Sequence, residues 1–171
     1  MKRPEPSEYF EYFETYICKF TPDDFWTEFN GQPAQVESLL ENLPAGEDSK
    51  LHSPYTWTLK QVVGHLIDTE KIFAARLLRI AVGDSTPNPD FEQNLFVDGL
   101  DYEGVAMSDL VEEFAALRRS NALMLGRLGE VQLARTGTVS GRKISARAIP
   151  FLMGGHVNYH MEIMEKRLGA A

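Results

Sequence analysis

The chain has 171 residues, of which 43% are apolar and 25% charged, the proportions of a globular domain large enough to bury a real core. Its formal net charge is −8; with no segregated basic run, phosphate backbones would repel it, and no nucleic-acid partner is expected. Cys18 is the one cysteine, which excludes an intramolecular disulfide and a disulfide-built secreted scaffold.

Met1-Lys2-Arg3 runs into Pro4, Glu5 and Pro6 instead of the apolar core of a signal peptide. No window approaches the roughly 20 apolar residues of a membrane span. A cytoplasmic protein with no membrane contact is the expectation. Cys18 reads as a small, half-buried apolar residue. No repeat or long Pro/Gly/Ser linker divides the chain, so residues 1–171 read as one domain.

The dominant period is helical. An aromatic-rich piece, Tyr9 to Phe20, is expected to pack across a bundle or to form a preceding helix. Val36, Leu39, Leu40 and Leu43 then mark one face of a first bundle helix, with Pro33 in its first turn and Pro44 ending it. A second helix opens on Thr58 and Gln61, a capping box, and carries Val62, Leu66, Phe73, Leu77 and Ile80 to a stop at Gly83.

Residues 85–102 hold prolines, asparagines and acids without a sustained period, the pattern of a long crossover connection between the second and third helices. The third helix is expected from Ser108, with Asp109, Glu112 and Glu113 at the positive end of its dipole. Its buried side runs through Leu110, Phe114, Leu117, Met124 and Leu128. Gly137, Ser140 and Gly141 mark a turn or small hairpin. Ser145 can cap the fourth helix, whose stripe includes Ile149, Leu152, Met153, Ile163 and Met164, with Pro150 early in it. The fold class is all-α, a four-helix bundle.

His156 and His160 are four residues apart on that stripe, so their Cβ atoms stand about 5–6 Å apart on one helix face, close enough to share an ion. A buried imidazole otherwise needs partners, and a backbone carbonyl or Tyr159 could supply them. Val157 occupies the place where a zinc protease helix carries its glutamate, which argues against that class. His65 sits beside Gly64 near the start of the second helix, and Gly154 and Gly155 precede His156. Glycines in helix interiors cost about 1 kcal/mol each relative to alanine, which points to close approach, whether for access to a site or for tight packing. Three imidazoles without an evident fourth protein ligand describe an open site for zinc, nickel or iron(II).

The sequence resembles the DinB-like superfamily of metal-binding four-helix bundles over nearly its whole length. The resemblance is carried by Trp57-Thr-Leu-Lys-Gln-Val-Val-Gly-His65, Leu-Ile-Asp-Thr-Glu70, Arg-Leu-Leu-Arg79 with Gly83-Asp84, Asp90-Phe-Glu-Gln-Asn94, Ser145-Ala-Arg-Ala-Ile149 and Gly155-His-Val-Asn-Tyr-His160. It implies an antiparallel bundle with a long crossover and a divalent metal on His65, His156 and His160. Relatives often carry paired histidines where this chain has Tyr159-His160.

Some members of the superfamily are thiol S-transferases or thiol-dependent isomerases, so the resemblance points to a metal-dependent enzyme of this general kind, a thiol S-transferase using a low-molecular-weight thiol on a small electrophilic substrate. Homodimerisation is expected from the resemblance and from the aromatic N-terminal segment. A metal-dependent hydrolase uses the same ligands. A non-catalytic metal-binding stress-response protein and an interaction module with core histidines are the other readings. Asp68, one turn after His65, is the candidate catalytic or ligand-orienting acid, with a solvent-facing acid as the plainer expectation. Glu70 and Arg76 read as a structural pair, Trp57 as a stack over the bundle end and His52 as a surface histidine.

Overall fold

The computed structural model describes residues 1–169. Four long helices form the bundle, joined by shorter elements. In chain order they are α1 (Glu14–Ile17), α2 (Phe25–Leu40), α3 (Leu59–Val82), α4 (Gln93–Gly99), α5 (Met107–Leu125), α6 (Glu130–Leu133), the hairpin β1 (Thr136–Val139) and β2 (Arg142–Ser145), and α7 (Ala148–Gly169).

The capping residues read from the sequence act as expected in α3 and α7. The Gln61 amide donates to Thr58 Oγ1 at 3.1 Å while Thr58 N–H reaches Gln61 Oε1 at 2.9 Å. Gly83 turns left-handed (φ +86°), and Asp84 N–H bonds back to the Arg79 carbonyl at 2.9 Å, which is how a glycine ends a helix. Ser145 Oγ accepts from Ala148 N–H at 3.1 Å. Ser140 and Gly141, both with positive φ, close the expected hairpin with a two-residue turn.

Three expectations about where elements begin and end need correction. The first bundle helix begins at Phe25, not near Pro33, because the Asp24 side chain caps the Trp26 N–H at 3.2 Å and Phe25 and Phe29 extend the buried stripe. Pro33 thus lies inside α2. The crossover contains a short helix, α4, held by the Glu92 carboxylate on the backbone N–H groups of Asn94 and Leu95. The third helix starts at Met107 with Ala106 as its cap, so Ser108 lies within it and caps nothing.

Around the bundle the helices pack in the order α2, α5, α3, α7, so α2 and α3 lie across a diagonal. The crossover returns the chain to the start of α3, where Glu103 accepts from Thr58 Oγ1 (2.5 Å) and Lys60 Nζ (2.9 Å). As a result α5 runs parallel to α3. Likewise α2 runs parallel to α7, with Phe25 against Phe151 and Gln32 against Gly154. A wholly antiparallel bundle therefore does not describe the molecule.

Two apolar clusters fill the interior. One gathers Phe20, Phe25, Phe29, Leu77, Ile80 and Phe151, and the other Val36, Leu59, Leu66, Leu110, Phe114 and Val157. Between them each helix contributes polar residues: Gln32, then Asp68, Thr69 and Glu70, then Arg118 and Asn121, then His156. The N-terminal aromatic segment folds onto α7, where Tyr16 meets Tyr159 at 5.3 Å between ring centroids. No helix among the described residues is long and apolar enough to cross a membrane.

Candidate metal centre

His65 projects from the second turn of α3, and His156 and His160 from consecutive turns of α7. The structure brings all three together. His156 Nε2 lies 3.1 Å from His65 Nε2 and 3.2 Å from His160 Nε2. One nitrogen from each ring lies within 4.8 Å of the other two. Zinc–nitrogen bonds of about 2.0–2.1 Å at tetrahedral angles place ligand nitrogens roughly 3.3 Å apart, close to the two separations across His156.

The glycines beside these histidines permit close packing. The Gly64 backbone lies under the ring of Tyr102, Gly154 under Phe20, and a methyl at Gly155 would stand 1.9 Å from the Tyr16 carbonyl oxygen. These contacts bring α1 and the crossover onto the ligand-bearing helices.

Burial sets the protonation state. His65, His156 and His160 are 1%, 6% and 8% exposed. Removal from water pushes His65 down to about 4 and His160 to about 3, and His156 falls well below its ordinary value, with His160, His65 and Arg118 adding repulsion to its burial. All three rings are therefore neutral near pH 7, the form that ligates metal. Buried His65 Nδ1 has no hydrogen-bond partner among the described residues, whereas His156 Nδ1 faces Thr69 Oγ1 at 3.4 Å.

Aromatic rings surround the cluster. Trp57 lies 5.0 Å from His65, Tyr16 5.3 Å and Phe73 5.7 Å from His156, and Tyr159 5.2 Å from His160, each between centroids. Trp57 thus belongs to the surroundings of the site. Tyr16 has no helical spacing to α7 that would have announced it; Thr69 does have one, lying four residues after His65.

Other candidate residues sit differently from expectation. Asp68 is buried instead of solvent-facing, and its carboxylate accepts a hydrogen bond from the Tyr102 hydroxyl, not from an imidazole. Glu70 pairs with Arg118 at 2.6 Å, while Arg76 donates to the Pro89 carbonyl at 2.6 Å. Residues six apart point to different sides of a helix, so the Glu70–Arg76 pair could not form. His52 is half-buried, bonded to Glu47 at 2.5 Å and 3.4 Å from Arg167 Nη2. Cys18 is exposed instead of half-buried. A groove of about 1130 Å³ between α2 and α5 includes none of the three histidines.

The model of the DinB superfamily matches residues 28–164, a span that includes all three histidines. The chain belongs to the DinB superfamily. Its fold is similar to that of YfiT from Bacillus subtilis, with a TM-score of 0.74 and 15% identity, over 91% of this chain and 98% of that one. That structure is described as a probable metal-dependent hydrolase with an unusual four-helix bundle topology. No curated protein matches the sequence. In this DinB-superfamily chain the clustered imidazoles could hold a metal ion, and their neutral, buried nitrogens fit a divalent transition metal better than calcium or magnesium, which take oxygen.

Proposed function

We propose that this chain is a metal-dependent enzyme in which His65, His156 and His160 hold one divalent zinc, nickel or iron ion. It joins a low-molecular-weight thiol to a small electrophilic molecule: the thiolate sulfur forms the new C–S bond, the electrophile's leaving group departs with the electrons of the bond it breaks, and the thiol proton passes to solvent. The observation that carries this reading is the convergence of three buried Nε2 atoms, at 3.1 and 3.2 Å across His156, with no carboxylate bonded to the cluster among the described residues. When bound, the ion supplies Lewis acidity, which lowers the pKa of a thiol or of a water.

Three neutral imidazoles add no negative charge, so the centre they build favours an anionic thiolate. Trp57, Tyr16 and Tyr159 limit water beside it and offer apolar surface to a substrate. Asp68, engaged with Tyr102, is not aimed at the cluster as a general base. A thiol ionises far more readily than water to begin with (pKa about 8.5 against 15.7), so the ion has less to do in thiol transfer than in hydrolysis. Hydrolysis is the second reading, favoured by the likeness to YfiT.

Metal-loaded protein mixed with monochlorobimane and a panel of low-molecular-weight thiols tests the proposal. Conjugate is expected with at least one thiol, and none from His156→Ala. Absence of metal-dependent conjugate with every thiol overturns the transferase reading. Ester or amide cleavage would then support hydrolysis, and bound metal without turnover a binding protein.

A further inference from the structure

We propose that Thr69 is a positioning residue, whose hydroxyl fixes His156 as the Nδ1–H tautomer and so turns the Nε2 lone pair toward His65 and His160. The inference rests on the three-histidine reading above and goes beyond it, because it assigns a role to a residue that is not a ligand.

Thr69 is buried on α3, one turn after His65, and its Oγ1 lies 2.8 Å from the His65 carbonyl and 3.1 Å from that of Leu66. Carbonyl oxygens only accept, so the single hydroxyl proton is committed to the helix backbone, the usual back-bond of a helical threonine. The oxygen that remains can only accept. His156 Nδ1 faces it at 3.4 Å and has no other hydrogen-bond partner among the described residues. For this contact to be attractive, Nδ1 must carry the hydrogen.

In the opposite tautomer two lone pairs would face each other, unless the hydroxyl abandoned its carbonyls. An unpaired polar group at so buried a position costs about 1–3 kcal/mol. A neutral imidazole carries one hydrogen, so placing it on Nδ1 leaves Nε2 bare. That is the nitrogen standing 3.1 Å from His65 Nε2 and 3.2 Å from His160 Nε2. The same hydroxyl therefore ties the backbone of one ligand residue to the ring of another, across the α3–α7 contact. Partners of this kind orient metal-bound imidazoles, and losing one typically weakens metal binding about 10–100-fold.

Two measurements on wild type, Thr69→Ser and Thr69→Val test the assignment. In the first, ¹⁵N ring spectra of metal-free protein near pH 7 should show His156 with a protonated Nδ1 and a bare Nε2 in wild type and Thr69→Ser. The isosteric Thr69→Val should show mixed tautomers. In the second, competition with a zinc chelator should show affinity about 10–100-fold weaker in Thr69→Val, with Thr69→Ser close to wild type. A purely structural role for Thr69 would lower thermal stability and leave ring spectrum and affinity unchanged; that result overturns the proposal. So does an Nε2–H tautomer in wild type, which needs no variant to fold. If no variant, wild type included, binds zinc, the metal reading fails, and the ring spectra still decide the role of Thr69.

Discussion

Nη1 of Arg118 donates to the Phe29 carbonyl at 3.1 Å, the carbonyl that Pro33, lacking an N–H, leaves without its helical donor. The same guanidinium is 1% exposed. Its Nε bonds to Glu70 at 2.6 Å and Nη2 at 3.2 Å, and Nη1 also reaches Gln32 Oε1 at 2.5 Å. Gln32 in turn donates to the Gly154 carbonyl at 2.7 Å, two residues ahead of His156. A proline inside α2 is thus accommodated by a buried cation on α5, and the network reaches all four bundle helices.

Breaking a buried pair strands the surviving charge. Arg118→Leu should therefore lower the free energy of unfolding by about 3–5 kcal/mol. Arg118→Leu with Glu70→Leu should recover part of that loss, with the Phe29 carbonyl still unpaired. Urea unfolding of the single and double variants checks this; a double variant less stable than Arg118→Leu would contradict the isolated-charge argument.

Gly155→Ala sets a methyl against backbone, not against a side chain that can turn away. With 1.9 Å available to the Tyr16 carbonyl oxygen, α1 must shift off α7, at a cost of about 3 kcal/mol or more. Gly64→Ala meets the Tyr102 ring at 2.5 Å and should cost less, because that ring can move once its hydrogen bond to Asp68 yields. Thermal melts of both variants give the ranking, and a Gly155→Ala protein as stable as wild type would show that the N-terminal segment does not sit as described.

The cap residues of α3, the stop at Gly83, the hairpin and the spacing of His156 and His160 were legible because each depends on near neighbours in sequence. The α2 start was not, since Pro33 reads locally as a first-turn residue and only Arg118, 85 positions away, makes its interior position tolerable. The true partner of Glu70 was hidden for the same reason. So was the burial of Asp68, which depends on the crossover folding Tyr102 back over α3. Parallel packing of α3 with α5 follows from where that crossover ends, and its length alone did not reveal this.

Tyr102→Phe removes the donor from a buried carboxylate and should cost about 1–3 kcal/mol, with zinc affinity unchanged if Asp68 takes no part in holding the ion. Chelator competition separates the two effects. A large fall in affinity would bring Asp68 into the metal centre.

Stability of the metal-free protein should fall with acid. His65 and His160 are held near 4 and 3 in the fold, against 6.5 ordinarily. Above 6.5 both states are neutral and the histidines contribute no pH dependence. Below it the unfolded chain takes up protons that the buried rings refuse, so stability is lost as pH falls from about 6.5 toward about 4. Urea unfolding in chelator across that range should show a shallower decline for His160→Asn than for wild type. Parallel profiles would contradict the burial of an uncharged His160.

The most direct test of the central claim is metal content of protein purified without a nickel column, followed by titration of the stripped protein with zinc, nickel and iron(II). One ion per chain is expected, falling below about a tenth of an equivalent in His65→Ala, His156→Ala and His160→Ala variants that remain folded. A folded wild-type protein that takes up none of these ions, or variants that bind as well as it does, would contradict the three-histidine centre.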